Sequence, residues 1–203
     1  MRVLVATTNR HKAREIAAIL APFGIEVASA QKLPSVVEDG TTFEENATLK
    51  ARSAAAVTGH VALADDSGIV LPALAGAPGV RSARYAGPEA TDAENNAKLL
   101  AELAKRGLSE APASFVCAAV VAGADGRLIA RAIGHVEGIV RGPPLGEAGF
   151  GYDPLFHFVG PGHPAPGVRF AQMTPAQKDA VSHRGKAFRA IGEILSAVSR
   201  AGP

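Results

Sequence analysis

Two aspartates in succession, Asp65-Asp66, directly follow the apolar run Val61-Ala62-Leu63-Ala64 and lead into Ser67-Gly68. Carboxylates at the end of a buried strand are well placed to meet a bound ion, and Glu38 offers a third acid for the same work. Hard oxygen ligands of this kind suit Mg²⁺, which takes one or two protein carboxylates and fills its shell with water and substrate phosphates. A triphosphate would complete such a site. Asp-Asp-Ser-Gly is also ordinary turn chemistry, so the tetrapeptide alone leaves both readings open.

Three further stretches carry groups of the same kind. Thr7-Thr8-Asn9-Arg10-His11-Lys12 lies between a first strand and a first helix. There, unpaired backbone N–H groups and the helix dipole favour an anion, and Lys12 adds a full positive charge. An N-capped helix with a solvated lysine has the same signature, and the glycines and Gly-Lys-Ser/Thr ending of a Walker loop are absent. Gly149-Phe150-Gly151-Tyr152-Asp153-Pro154 combines close backbone approach with two rings able to stack on a planar base and an acid able to bind a polar edge. The alternative is a tight turn with its phenylalanine anchored in the core. Lys178 with Ser182-His183-Arg184 adds two permanent cations and an imidazole, otherwise a solvated charged face. On an unbroken helix Lys178 and Ser182 share a side while His183 and Arg184 point elsewhere, so a common pocket requires a new helix to begin at Ser182.

The elements that must position these groups are legible from caps and periodicity. Val3 to Ala6 reads as a buried strand, and Ile16, Ile19 and Leu20 recur at helical spacing behind Asn9 as cap. Thr42-Phe43-Glu44-Glu45 and Thr91-Asp92-Ala93-Glu94 have capping-box spacing, the first opening an Ala-rich helix to about Val57. Val61 to Ala64 is a short strand. Ser114 to Gly123 and Arg127 to about Val140 form a hairpin over Asp125-Gly126. Thr174-Pro175-Ala176-Gln177 opens the last helical region, where Phe188, Ile191, Leu195 and Val198 form an apolar stripe. The Pro- and Gly-rich stretch at 160–170 reads as a surface loop.

Composition limits the setting. The chain has 203 residues, 47% of them hydrophobic, enough for one continuous α/β fold. A net charge of +2 gives no strong field for nucleic acid or membrane, so function must reside in a local site. No apolar run approaches the ~20 residues of a membrane span, and the start, Met1-Arg2-Val3-Leu4-Val5-Ala6, is too short for a signal-peptide core. Cys117, the single cysteine, lies in the apolar run Phe115 to Val121 and reads as a buried structural thiol. Together these features fit a reducing cytosol.

Taken in order along the chain, the motifs resemble the inosine triphosphate pyrophosphatase family, also called the Ham1 family, and its bacterial members in particular. The family's opening (Thr/Ser)-x-Asn-x-x-Lys appears as Thr7 to Lys12, and its Thr-Phe-x-Glu-Asn-Ala-x-x-Lys-Ala helix runs from Thr42 to Ala51. Ala64 to Gly68, Ala77-Pro78-Gly79, Ser82-Ala83-Arg84-Tyr85, Phe150 to Pro154 and Ser182 to Arg184 follow. The resemblance implies an elongated α/β fold over residues 1–203 as a single domain. In it a mixed central sheet is flanked by helices, with two lobes around a nucleotide-binding cleft. It implies a cytoplasmic homodimer that hydrolyses inosine, deoxyinosine and xanthosine triphosphates with Mg²⁺, releasing the monophosphate and pyrophosphate and so clearing them from the nucleotide pool.

Carried onto this sequence, it makes Asp66 the catalytic acid and metal ligand, with Glu38 and Asp65 as neighbouring acids at the metal. Thr7, Thr8, Asn9, Arg10, His11, Lys12 and Lys50 fall at phosphate-binding positions, and Ser67 at a substrate contact. Phe150, Gly151, Tyr152, Asp153, Lys178, His183 and Arg184 fall at the nucleoside pocket. Position 8 is Thr where many members have Gly, and the loop at 160–170 is longer and richer in proline than is usual. A nucleotide phosphatase or kinase would share the phosphate and Mg²⁺ groups but differ in products, and a non-catalytic nucleotide sensor would show no turnover.

Overall fold

The computed structural model describes residues 1–29, 36–160 and 167–201, so positions 161–166 of the expected surface loop lie outside the described residues. The chain forms two compact units, each assembled from separated segments. The first comprises Met1–Asp66, Cys117–Gly134 and His183–Pro203; the second comprises Ser67–Val116 and His135–Ser182.

The elements in chain order are β1 (Arg2–Val5), α1 (Arg10–Leu20), β2 (Glu26–Ser29), α2 (Phe43–Thr58), β3 (Ala62–Val70), α3 (Asp92–Ala104), β4 (Glu110–Ala122), β5 (Leu128–Arg141), β6 (Phe156–Phe158), α4 (Pro175–Val181) and α5 (His183–Ala201). The strands form one mixed sheet in the order β2-β1-β3-β4-β5-β6. β1 is parallel to both β2 and β3, and β5 is antiparallel to β6.

Each capping motif starts a helix. Asn9 Oδ1 accepts from the N–H groups of His11 and Lys12. Thr42, Thr91 and Thr174 each close a capping box with the residue three positions on. Asp125-Gly126 turns β4 into β5, Gly123 N donating to Arg127 O at 2.8 Å. A new helix does begin after Ser182, which is extended (φ −70°, ψ 159°) between α4 and α5. Too short to show a period, β2 and β6 went unpredicted.

In the first unit the strands bury both faces, and their residues alternate between two cores. Val3, Val5, Leu63, Cys117, Ala119 and Val121 pack with Ile16, Ile19 and Leu20 of α1 and with Phe188, Ile191 and Leu195 of α5. On the other face Ala62, Ala64, Ala118, Val120 and Ala122 meet Ala47, Ala51, Ala54 and Ala55 of α2. The second unit is built on aromatic residues: the rings of Phe115, Phe156 and Phe170 lie with centroids 4.6 to 5.9 Å apart, within a cluster that includes Tyr152 and Phe158.

One expectation is overturned. The strand predicted to stop at Ala64 continues to Val70, so Asp65-Asp66-Ser67-Gly68 is neither a turn nor the end of a strand but the middle of one. Gly68 is there for space: a β-carbon on it would collide with Ser82 Oγ and come within 2.6 Å of Gly79 O. That close approach lets Ser82 Oγ accept from Ile69 N at 2.9 Å and donate to Gly79 O at 2.6 Å.

Candidate active site

Because Asp65 and Asp66 lie within a strand, their side chains point to opposite faces of it. Asp65 follows Leu63 onto the α1 and α5 side, where its Oδ2 meets Lys12 Nζ of α1 at 3.1 Å and Arg184 Nη2 of α5 at 3.1 Å. Arg184 reaches on through Nη1 to Glu15 Oε2 at 2.6 Å, and its side chain is only 2% exposed. Burial opposes the charge on Asp65, but Lys12 and then Arg184 outweigh it and hold this carboxyl well below the usual range. The Cys117 thiol, buried beside the same carboxylate, is pushed up well above its ordinary value.

Asp66 follows Ala64 onto the α2 side. Its Oδ2 accepts from Asn46 Nδ2 at 3.0 Å, and its Oδ1 lies 3.3 Å from Lys50 Nζ. Asn46 and Lys50 are one helical turn apart on α2 and therefore share a side. The Asn46 amide is fixed, since its Oδ1 accepts from Gly40 N at 2.9 Å, which turns the amino group towards Asp66. Lys50 Nζ also pairs with Glu38 Oε2 at 3.2 Å, so one ammonium bridges two carboxylates. The Asp66 carboxyl titrates above its ordinary value because burial outweighs the opposing charges of Lys50 and Lys12. Lys50 loses some basicity to burial but gains more from Asp66, Asp65 and Glu38, and ends raised.

The cluster as described thus sets the cations Lys12, Lys50 and Arg184 against the acids Glu15, Glu38, Asp65 and Asp66. Asn46 and Glu15 were not among the predicted site residues. Their signals were spacing: Asn46 stands four before Lys50, and Glu15 three after Lys12, each on the inward side of its helix. Of the predicted phosphate positions, Thr7 Oγ1 accepts from Asn9 N at 3.2 Å, while Thr8, Arg10 and His11 are exposed. His183 is buried as the first residue of α5.

The second unit holds the aromatic loop. Asp153 Oδ2 accepts from Phe150 N at 2.9 Å and pairs with Lys178 Nζ at 2.6 Å, both side chains of that pair being about 95% or more buried. Lys178 Nζ lies 4.6 Å from the centroid of the Phe150 ring. Tyr152 is in the core, its hydroxyl donating to Ser82 O at 2.9 Å, so only Phe150 of the two rings is placed to stack on a ligand. Ser67 is half-buried on β3. Lys178 therefore joins Phe150, Tyr152 and Asp153 in the second unit, whereas the Arg184 guanidinium is engaged with Asp65 and Glu15 in the first.

The Ham1 family's sequence profile matches residues 3–194 of the chain. A protein of Syntrophobacter fumaroxidans named dITP/XTP pyrophosphatase is 48% identical over 189 residues, spanning 92% of this chain and 78% of that one. A protein of the same name from Desulforamulus reducens is 44% identical over 199 residues, spanning 97% of this chain and 96% of its own. The solved structure of a HAM1 protein from Coxiella burnetii, 38% identical, superposes with a TM-score of 0.85 over 97% of this chain and 99% of that one. A profile match from the first strand to the last helix, with relatives that align over nearly the whole chain, makes this protein a member of the Ham1 family.

Proposed function

We propose that this protein hydrolyses non-standard purine nucleoside triphosphates, those of inosine, deoxyinosine and xanthosine, to the monophosphate and pyrophosphate. The observation that carries the reading is Asp66: a buried carboxylate with a raised pKa, held between a fixed amide and a lysine. Such a group is suited to orient a water and take its proton as the oxygen attacks the α-phosphorus. Lys50 and Lys12, each about 16% exposed, offer positive charge to the phosphate chain. Arg184, in contrast, serves the site from behind by holding Asp65 in place for Lys12.

A divalent cation fits the residues present. The acids of the cluster outnumber its cations, so a triphosphate must arrive with positive charge of its own. Asp66 and Glu38 already converge on one ammonium, and two carboxylates with phosphate oxygens are what Mg²⁺ prefers. Asp66 and Glu38 would hold the ion. Asp65, on the other face of β3, is assigned to Lys12 and Arg184 instead. When bound, Mg²⁺ would neutralise phosphate oxygens and stabilise charge on the leaving pyrophosphate.

Base choice is assigned to the Phe150–Asp153 loop with Lys178. Stacking on Phe150 accepts any purine, whereas polar groups that meet the 6-oxygen of inosine or xanthosine are left unpaired by the 6-amino group of ATP. A nucleoside triphosphate panel with Mg²⁺, scored for pyrophosphate against orthophosphate, tests the reading. Pyrophosphate from inosine and xanthosine triphosphates well ahead of ATP is the expected result. Orthophosphate as the first product would make the protein a phosphatase. The homodimer implied by resemblance stands as part of this proposal, and sedimentation equilibrium reads it directly.

A further inference from the structure

Tyr152 anchors the loop Gly149–Pro154 in the apolar core, but Gly149 to Gly151 owe little of their position to such packing. Between residues 144–151 and the α3 side chains Ala93, Ala97 and Leu100 lies a cavity of about 640 Å³, so no close-packed surface presses the loop onto the helix. What crosses from α3 is polar. Asp92 Oδ2 accepts from Gly151 N at 2.6 Å, and Asn96 Nδ2 donates to Gly151 O at 3.0 Å. Asp92 and Asn96 are four residues apart and share one side of α3, and their bonds engage both backbone polar groups of one residue. Gly151 has φ +62°, a conformation that a side chain at this position would strain. Its neighbour on one side is Phe150; two residues on the other is Asp153, whose carboxylate takes both Phe150 N and Lys178. Asn96 is buried; its Oδ1 has no hydrogen-bond partner among the described residues, and its Nδ2 is turned to the loop.

We propose that Asp92 and Asn96 are positioning residues for base recognition, clamping the N–H and C=O of Gly151 so that Phe150 and Asp153 present a fixed surface to the purine. The proposal rests on the assignment of the base to this loop. A clamp on the base side alters how the nucleoside is held and leaves the phosphate chemistry of Asp66 and Lys50 alone. Its mark is therefore a rise in KM with little change in kcat, and only for ligands that carry a base.

The experiment compares Asp92→Ala, Asp92→Asn and Asn96→Ser in the whole 203-residue chain. Steady-state kinetics are measured on inosine triphosphate with Mg²⁺, and inorganic tripolyphosphate is used as a competitive inhibitor that lacks a base. Asp92 is exposed, so its substitution leaves the core intact. Asp92→Ala and Asn96→Ser are expected to raise KM about tenfold, as small misplacements of a recognition group do, with kcat and the tripolyphosphate inhibition constant within about twofold of the parent. Asp92→Asn, whose amide oxygen still accepts from Gly151 N, is expected to recover most of the loss. An unchanged KM in Asp92→Ala and Asn96→Ser, or a parallel rise in the tripolyphosphate constant, overturns the proposal. Phe150→Ala separates this from a failure of the underlying assignment. If it weakens inosine triphosphate while the α3 variants do not, the clamp alone is wrong; if it has no effect, the base is bound elsewhere and the clamp falls with it.

Discussion

The groups around Asp65 and Asp66, Glu38 apart, stand on regular elements, a strand and three helices, and are fixed by one another's charges. Phe150 and Asp153 stand on a glycine loop whose backbone is held by side chains from α3, while Lys178 of α4 holds the Asp153 carboxylate. The first arrangement gives precision, since a strand sends successive acids to opposite faces and each finds its own partners. It also makes every member dependent on the charge of the next. The second gives a surface whose shape is set by a few hydrogen bonds. Groups proposed for bond cleavage are thus held by electrostatics within packed elements, and those proposed for choosing the base by local backbone geometry. Substitutions in the two regions should therefore fail differently.

The largest effect is expected at Asp66. Asp66→Asn should lower kcat on inosine triphosphate by about 10²- to 10⁴-fold, the usual contribution of a general base. Because the native pKa of Asp66 is raised, its ionised form costs stability at neutral pH, and that cost grows as pH rises above the unfolded-state value. The melting temperature of Asp66→Asn at pH 7 should accordingly equal or exceed the parent's. A folded variant with near-normal kcat would remove Asp66 from the chemistry.

Next comes Arg184, where the loss is one of structure. Arg184→Met leaves Asp65 and Glu15 without their shared cation and should cost about 3–5 kcal/mol in chemical denaturation. The pH dependence of Asp65→Asn sharpens this. The depressed pKa of Asp65 gives the native protein stability that is fully present above the unfolded value of about 3.9 and is lost as pH falls through the native one. The parent's advantage over Asp65→Asn should therefore be constant near neutrality and begin to close below about pH 4. A gap that does not change with pH would mean that Asp65 contributes by shape and not by charge.

How much of this could be read from the sequence follows the same division. Helix starts were legible because a capping residue and its partner lie three apart, and the β4–β5 hairpin because Asp-Gly marks its turn. The run Ala64 to Gly68 misled because Gly68 looks like a turn residue, whereas its lack of a side chain accommodates the backbone at Gly79 and the Ser82 hydroxyl. With the strand ended early, the opposite facing of Asp65 and Asp66 was hidden, and with it the division of Lys12 and Lys50 between them. Arg184 was grouped with Lys178 by proximity in sequence, yet the break at Ser182 sends its guanidinium to Asp65 and Glu15. The Gly151 clamp joins residues more than fifty positions apart, which no local pattern reports.

The smallest expected effect lies in the loop. Phe150→Ala should weaken inosine triphosphate and ATP by a similar factor, about 1–3 kcal/mol for the loss of one stacked base, with stability little altered. A change in their kcat/KM ratio would show that Phe150 discriminates between bases as well as supporting them.

The central claim, that the Asp66 cluster directs water at the α-phosphorus, is tested most directly by hydrolysis of inosine triphosphate in ¹⁸O-labelled water with mass analysis of both products. The account predicts one labelled oxygen in the inosine monophosphate and none in the pyrophosphate. Label in the pyrophosphate, or in released orthophosphate, would place the attack on another phosphorus and contradict it.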